Sequence, residues 1–290
     1  MNWVVAAIAG IASGLAFGLL GLAVGLAGRS ASREATFLPV VGAMVGIVAG
    51  TAVGRWSGLG TFGGALLILP VVVSAAVALP RFLRAWAPAD PLFRPVVAVA
   101  GTVAATLVLA HLGGERRGAV GSRAEGLRAY DTVLASWTVL AAAALVILAW
   151  AALGSLYFLP RLRRRWEVLA ADCELAELWG IDPHTAQVVT AAATAGAGVL
   201  AGIGWAAVGG SSAMDAGVLL LAVATVRAAC GPRLFPVAHL LVGLAVGLVQ
   251  QLGEQARVGL GWILVAALGL TAAALRARVV PLAGEAEIVA

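Results

Sequence analysis

Lysine is absent from this chain of 290 residues: all 19 basic residues are arginine. Charge of either sign is scarce, at 11% of residues, against roughly 25% in a soluble domain. Such a chain cannot cover a water-facing surface, which excludes a soluble globular fold. A Walker A string ends in lysine and serine or threonine; none occurs, so the chain does not bind ATP by that route. Cysteine is nearly absent, and Cys173 and Cys230 fit no metal or disulfide pattern. The three histidines, His111, His184 and His239, lie far apart and lack metal-ligand spacing. No Ser/His/Asp set and no carboxylate pair can be drawn. No catalytic residue, metal or cofactor is therefore expected, and the chain reads as a non-enzyme.

What is present is oil-like. Apolar residues make up 62% of the chain and the mean hydropathy is +1.01. Runs of roughly 18 apolar residues or more are the mark of spanning helices. Barrel strands would instead alternate apolar and polar over ~10 residues, and strings such as AAAALVILAWAALG do not alternate. The expected fold is an all-α, polytopic transmembrane bundle of about nine spans (8–10), forming a single domain over 1–290. The spans fall near 3–27, 36–54, 61–80, 96–112, 132–158, 185–208, 214–229, 236–252 and 258–275, with 214–229 the weakest. The start, MNWVVAAIAGIASGLAFGLL, has no basic leader region and reads as a first span, not a removed signal.

With nine spans the connecting segments alternate sides. One side holds Arg29, Arg33, Arg81, Arg84, Arg94, Arg161, Arg163, Arg164, Arg165, Arg227, Arg233, Arg276 and Arg278, and the other Arg55, Arg116, Arg117, Arg123, Arg128 and Arg257. Arginine-rich loops stay cytoplasmic. This predicts the N-terminus outside, the C-terminus inside and a multi-pass protein of the cell (inner) membrane. It also accounts for the net charge of +5 without a nucleic-acid partner.

Glycine is common, at 37 residues. Gly10, Gly14, Gly18, Gly21 and Gly25 recur at spacings of three and four, and Gly243 and Gly247 repeat the pattern. Small residues at such spacings let helix backbones approach closely in lipid. The face they make either packs against another helix or lines a path. Prolines at 39, 70, 80, 160, 183 and 236 fall mostly at or near expected helix ends.

One segment interrupts the oil. LPRLRRRWEVLAADCELAELWGIDPHTAQVV carries four arginines and five acids between residues 159 and 184. Val168, Ala171, Leu175 and Leu178 recur at helical spacing, with Glu167, Glu174 and Glu177 on another face, which predicts one amphipathic helix over 167–179. Gly180 is a helix stop. Asp182 followed by Pro183 is an N-cap and first-turn proline for the next helix. Such a helix can lie in the membrane interface or dock into a soluble partner. Anionic headgroups repel Glu174 and Glu177, which favours the protein partner.

The segment RRRWEVLAADCELAELWGIDPHTAQVVTAAATAGAGVLAG resembles the cytoplasmic coupling segment and following span of the branched-chain amino-acid-type ABC importer permeases. Asp172, Glu174, Ala176, Gly180 and Ile181 match the family's core position by position. SGLAFGLLGLAVGLAGRS resembles its Gly-rich first span, LPRFLRAWAPADPLFRPVVAVAGTVAATLVLAHLGG its inner loop and following helix, and PVAHLLVGLAVGLVQQL its penultimate span. Three places depart from the pattern: SREATF at 32–37, CGPRLF at 230–235, and Gln250 and Gln251 where the family ends that span in an acid. The resemblance implies a permease subunit for a small solute, a branched-chain amino acid or a related amino acid, urea or amide. Its ATPase-coupling residues would be Glu167, Val168, Ala171, Asp172, Glu174, Leu175, Glu177, Leu178 and Gly180. Gly14, Gly18, Gly21, Gly25, Gly243 and Gly247 would serve the path or its packing. The implied partners are two cytoplasmic ATPase subunits, a second permease subunit, identical or homologous, an extracytoplasmic solute-binding protein and the lipid bilayer. The competing reading is a secondary transporter or other polytopic membrane protein, the charged segment being an interfacial helix; a carrier should show ionisable residues buried in its spans.

Overall fold

The computed structural model describes residues 3–28, 36, 38–57, 60–86, 126–129, 132–171, 173–208, 215–231, 235–256 and 259–287. The chain runs α1 (Trp3–Ala27), α2 (Leu38–Ser57), α3 (Gly60–Trp86), β1 (Gly126–Ala129), β2 (Thr132–Ser136), α4 (Trp137–Phe158), α5 (Pro160–Ala171), α6 (Cys173–Leu178), α7 (Pro183–Val208), α8 (Asp215–Cys230), α9 (Pro236–Ala256) and α10 (Leu260–Glu287). Four of these, α1, α4, α7 and α9, are long and apolar enough to cross a membrane. Shorter apolar stretches lie in α2, α3, α8 and α10. The expected span at 96–112 falls outside the described residues, as does most of the loop at 113–131.

Two boundaries differ from expectation in a way chemistry explains. The first five residues of the segment 132–158 form an antiparallel hairpin strand, with Gly126 opposite Ser136 and Ala129 opposite Thr132. Thr132 and Val133 are β-branched and stiff, and their apolar character blends into the helix that follows. Pro70 and Pro80 lie inside α3 rather than near its ends. Each removes a backbone donor, a loss that neighbouring helices can compensate in a membrane bundle.

Between helices in lipid there is little hydrophobic drive, because acyl chains are as apolar as leucine; van der Waals fit at close range takes its place. The bundle achieves that fit through glycine. α1 and α9 run antiparallel. A methyl carbon built on Gly14 would lie 2.6 Å from Leu244 Cα, and one on Gly10 would lie 3.0 Å from Leu248 Cα. α2 and α7 run parallel at a second crossing, where a methyl on Gly42 would meet Ala195 O at 2.5 Å and one on Gly46 would meet Val199 Cα at 3.2 Å. Around these crossings Phe17, Leu19, Leu20 and Leu22 of α1 are fully enclosed. Phe17 stands edge-on to Trp262 of α10, ring centroids 6.5 Å apart.

The contacts also fix relative directions. Gly154, near the end of α4, lies against Pro236 at the start of α9, and Trp150 Nε1 donates to the Pro236 carbonyl at 3.3 Å. α4 leads directly into α5, since Leu159 N–H still bonds Ser155 O at 2.9 Å. α9 therefore begins on the face of the bundle that carries the charged segment and ends on the opposite face.

Candidate functional site

The charged segment is built from two helices, not the single helix expected over 167–179. Pro160 occupies the first position of α5, where its missing N–H costs nothing. The arginines consequently lie within a helix instead of preceding one. Arg163 Nε donates to Glu167 Oε1 at 2.7 Å, an i,i+4 pair with both side chains about half exposed. Such a surface pair is worth at most about 0.5 kcal/mol. Arg161, Arg164 and Arg165 are exposed beside it.

The apolar stripe divides as well. Leu169 is enclosed, at 2% exposure, and Ala176 has none, while Val168 is half-buried. Leu178 and Trp179 stand out at 83% and 67% exposure, with Leu175 and Glu177 exposed beside them. The inward residues Leu169 and Ala176, together with Trp179, were not among the expected coupling residues. Helical spacing can group residues into faces, but the neighbours decide which face is covered, and here α6 packs on α5 and on α7. Asp172 lies outside the described residues, as do the side chains of Ala171 and Glu174.

The end of this segment is punctuated by local chemistry. Gly180 adopts φ +71°, a left-handed conformation that strains any residue with a Cβ. Gly180 N–H bonds Glu177 O at 2.9 Å and Ile181 N–H bonds Ala176 O at 2.9 Å, the paired closure of a Schellman C-cap. Two residues later Asp182 caps α7. Its Oδ1 accepts from His184 N–H at 3.0 Å and its Oδ2 from Thr185 N–H at 3.2 Å, and the Thr185 hydroxyl also donates to Oδ2. The Thr185 hydroxyl bond, joined by these backbone donors, holds the Asp182 carboxyl below its ordinary value although the group is fully exposed. His184 is exposed in the first turn of α7.

The expected glycines sit in the bundle interior. Gly14 and Gly18 of α1 meet Gly243 of α9, and Gly14 also meets Gly247; a methyl on Gly243 would lie 2.5 Å from Gly18 Cα. Gly21 faces Val226 of α8 at 2.6 Å on the same test, and Gly25 is buried. Gly42, Gly46, Gly198 and Gly202 make the second crossing and were not singled out by sequence. Their i,i+4 spacing was the available signal. The described part of this arrangement leaves the packing of the path-or-packing glycines explicit: every one of Gly14, Gly18, Gly243 and Gly247 touches another helix backbone.

His239 lies fully buried near the start of α9. Its Nδ1 is 2.9 Å from Phe235 O and its Nε2 is 3.1 Å from Arg227 Nη1. A carbonyl accepts and a guanidinium donates, so Nδ1 carries the proton and Nε2 does not. Both ring nitrogens are thereby occupied in structure. Arg276 of α10 donates to Ala228 O at 3.4 Å at the end of α8, where its charge opposes the helix dipole favourably. No group of three or more metal-ligating side chains occurs among the described residues.

No family model and no curated protein matches the chain. Among solved structures it is similar to PsaBC from Streptococcus pneumoniae, determined in complex with a Fab, with a TM-score of 0.54, 13% sequence identity, and 91% of this chain and 89% of that chain covered. At that identity the likeness is one of fold.

Proposed function

We propose that this chain is the membrane-spanning permease subunit of an ATP-driven ABC importer. The observation that carries the proposal is the near full-length likeness of fold. The pair α5–α6 adds to it, presenting Leu175, Glu177, Leu178 and Trp179 to a partner outside the bundle. In this reading ATP is hydrolysed on separate cytoplasmic subunits. Two of them dock on a permease pair, of two copies or of two related chains, at α5–α6, and an extracytoplasmic binding protein delivers the solute to the opposite face. The arginine distribution supports a cytoplasmic location for α5–α6, with the N-terminus outside. The solute class, a branched-chain amino acid or a related amino acid, urea or amide, rests on the residue resemblance of the charged segment and its neighbours.

The test is co-purification of the candidate ATPase with the wild-type chain and with Glu174→Arg/Glu177→Arg, at matched membrane expression. Truncating one side of a buried interface charge pair costs about 2–5 kcal/mol, so the double reversal should lose most of the ATPase and its solute-stimulated hydrolysis. Insertion should be unchanged, because this segment lies outside the apolar spans. Equal recovery with hydrolysis intact sinks the docking assignment.

A further inference from the structure

Polar side chains inside the bundle find partners on nearby backbone. Ser13 bonds Gly10 O at 3.2 Å, Thr190 bonds Ala186 O at 2.7 Å, Thr194 bonds Thr190 O at 2.7 Å, and Thr225 reaches across to Val265 O at 3.3 Å. Two oxygens on α9 break the pattern. Gln250 is 6% exposed and its Oε1 has no donor among the described residues; Glu254, one turn on, has an enclosed Oε1 that also has none among them. Glu254 lies beyond residue 252, where the sequence pattern ends the span. The helix continues to Ala256 and brings this acid inside it.

The geometry holds the Glu254 carboxylate in place. Glu254 Oε2 accepts from Gly259 N–H at 2.9 Å, so the turn into α10 orients the carboxylate, and Oε1 has no donor among the described residues. Gly259 takes φ +84° there. α10 then presses on α9: a methyl on Gly253 would lie 2.5 Å from Gly261 Cα, and one on Gly261 would lie 2.9 Å from the Gln250 carbonyl carbon. Positions i and i+4 share one helix face. The result is two enclosed acceptor oxygens and one formal negative charge at the end of a spanning helix. A buried acceptor without a donor is costly, and a buried carboxylate more so.

We propose that Gln250 and Glu254 form a cation-binding site at the end of α9 opposite the charged segment. It takes a compact cation that offers positive charge and accepts nothing. Two sources share that chemistry, the ammonium group of a small amine and an inorganic monovalent cation. The site rests on this geometry and not on the transport reading.

The test uses the purified full chain in lipid nanodiscs, with thermal unfolding followed in the chloride salts of ammonium, methylammonium, sodium, potassium and, as reference, choline, which has no N–H donor. A ligand bound to the folded state alone stabilises it by RT times the logarithm of one plus the ratio of its free concentration to Kd, so the rise of the unfolding temperature with concentration gives the half-saturating concentration. Wild type should unfold a few degrees higher with a cation that fits than with choline, and Glu254→Gln should lose that difference. Gln250→Leu should keep it with the half-saturating concentration raised about tenfold, the equivalent of about 1.4 kcal/mol. A shift confined to ammonium and methylammonium assigns the amine; a shift with sodium or potassium assigns the inorganic ion. Identical unfolding in all five salts overturns the site, as expected if the Gln250 amide turns to donate to Glu254. So does a wild-type shift in Glu254→Gln or, should that variant not fold, a wild-type half-saturating concentration in Gln250→Leu.

Discussion

The α1–α9 crossing and the α5–α6 pair obey opposite rules. At the crossing, side chains have been removed until backbone meets backbone; Gly14, Gly18, Gly243 and Gly247 contribute no atoms beyond the chain itself. At α5–α6, side chains crowd outward: four arginines, Glu167, Glu177, Leu178 and Trp179. The first arrangement gains its energy from closeness in a solvent that offers no hydrophobic reward. The second holds an exposed apolar pair, Leu178 and Trp179, among charges of both signs. A substitution should therefore be read by its volume at the crossing and by its chemistry at the protrusion.

Three measurements sharpen that contrast. The largest effect is expected from Gly18→Leu. A Cβ there would already lie 2.9 Å from His239 O and 3.2 Å from Leu240 Cα, and neither backbone atom can rotate away. Overpacking costs about 1–3 kcal/mol where side chains can adjust, so the upper end or more is expected here. Thermal unfolding and the yield of monodisperse protein read it, and a wild-type result would mean that α1 and α9 are not in contact. A smaller loss is expected from Gly180→Ala. Nothing lies within 4 Å of a Cβ at that position, so the cost is the left-handed backbone alone, about 1–2 kcal/mol. Gly180→Asn should lose less, because asparagine tolerates that region. Equal losses for the two variants would implicate contacts instead of conformation.

The smallest effect concerns pH. The Asp182 carboxyl is held below its ordinary value by the Thr185 hydroxyl and by backbone donors. A depressed carboxylate contributes stability that is full above its unfolded pKa and is lost as pH falls through the folded one. Acidification below the ordinary carboxylate range should therefore loosen the start of α7. The protection of the His184 and Thr185 amides, taken relative to their intrinsic exchange rate at each pH, should fall there in wild type and be low at all pH values in Asp182→Ala. Protection that does not respond to pH in wild type would show that the cap does not hold this helix end.

The parts of this molecule legible in sequence are those decided by short-range chemistry. Gly180, Asp182 and Pro183 announce a helix end and a helix start because the cap donors and acceptors lie within five residues of each other. The glycine stripe of α1 was visible for the same reason, being spaced along one helix. Its partner was not, since nothing local tells Gly14 that it will meet Leu244. The division of the charged segment into α5 and α6 was hidden because Val168, Ala171, Leu175 and Leu178 satisfy helical spacing whichever face is covered. Glu254 was missed for a related reason: apolar spacing fades before the helix does, and a carboxylate inside a span looks like the start of a loop.

The junction after α6 has one further consequence. Between the left-handed Gly180 and the first turn of α7 stand two residues, Ile181 and Asp182, both tied by backbone or cap hydrogen bonds. There is no slack in that connection. α7 is 26 residues long, a rod of about 39 Å at 1.5 Å per residue, and it packs against α1, α2, α3 and α4. It is a lever with a stiff handle. A tilt of about 5° imposed at α6 would carry its far end by roughly 3 Å over that length. Through Gly198 and Gly202 that displacement would pass directly to the backbone of α2, with no side chain between them to absorb it.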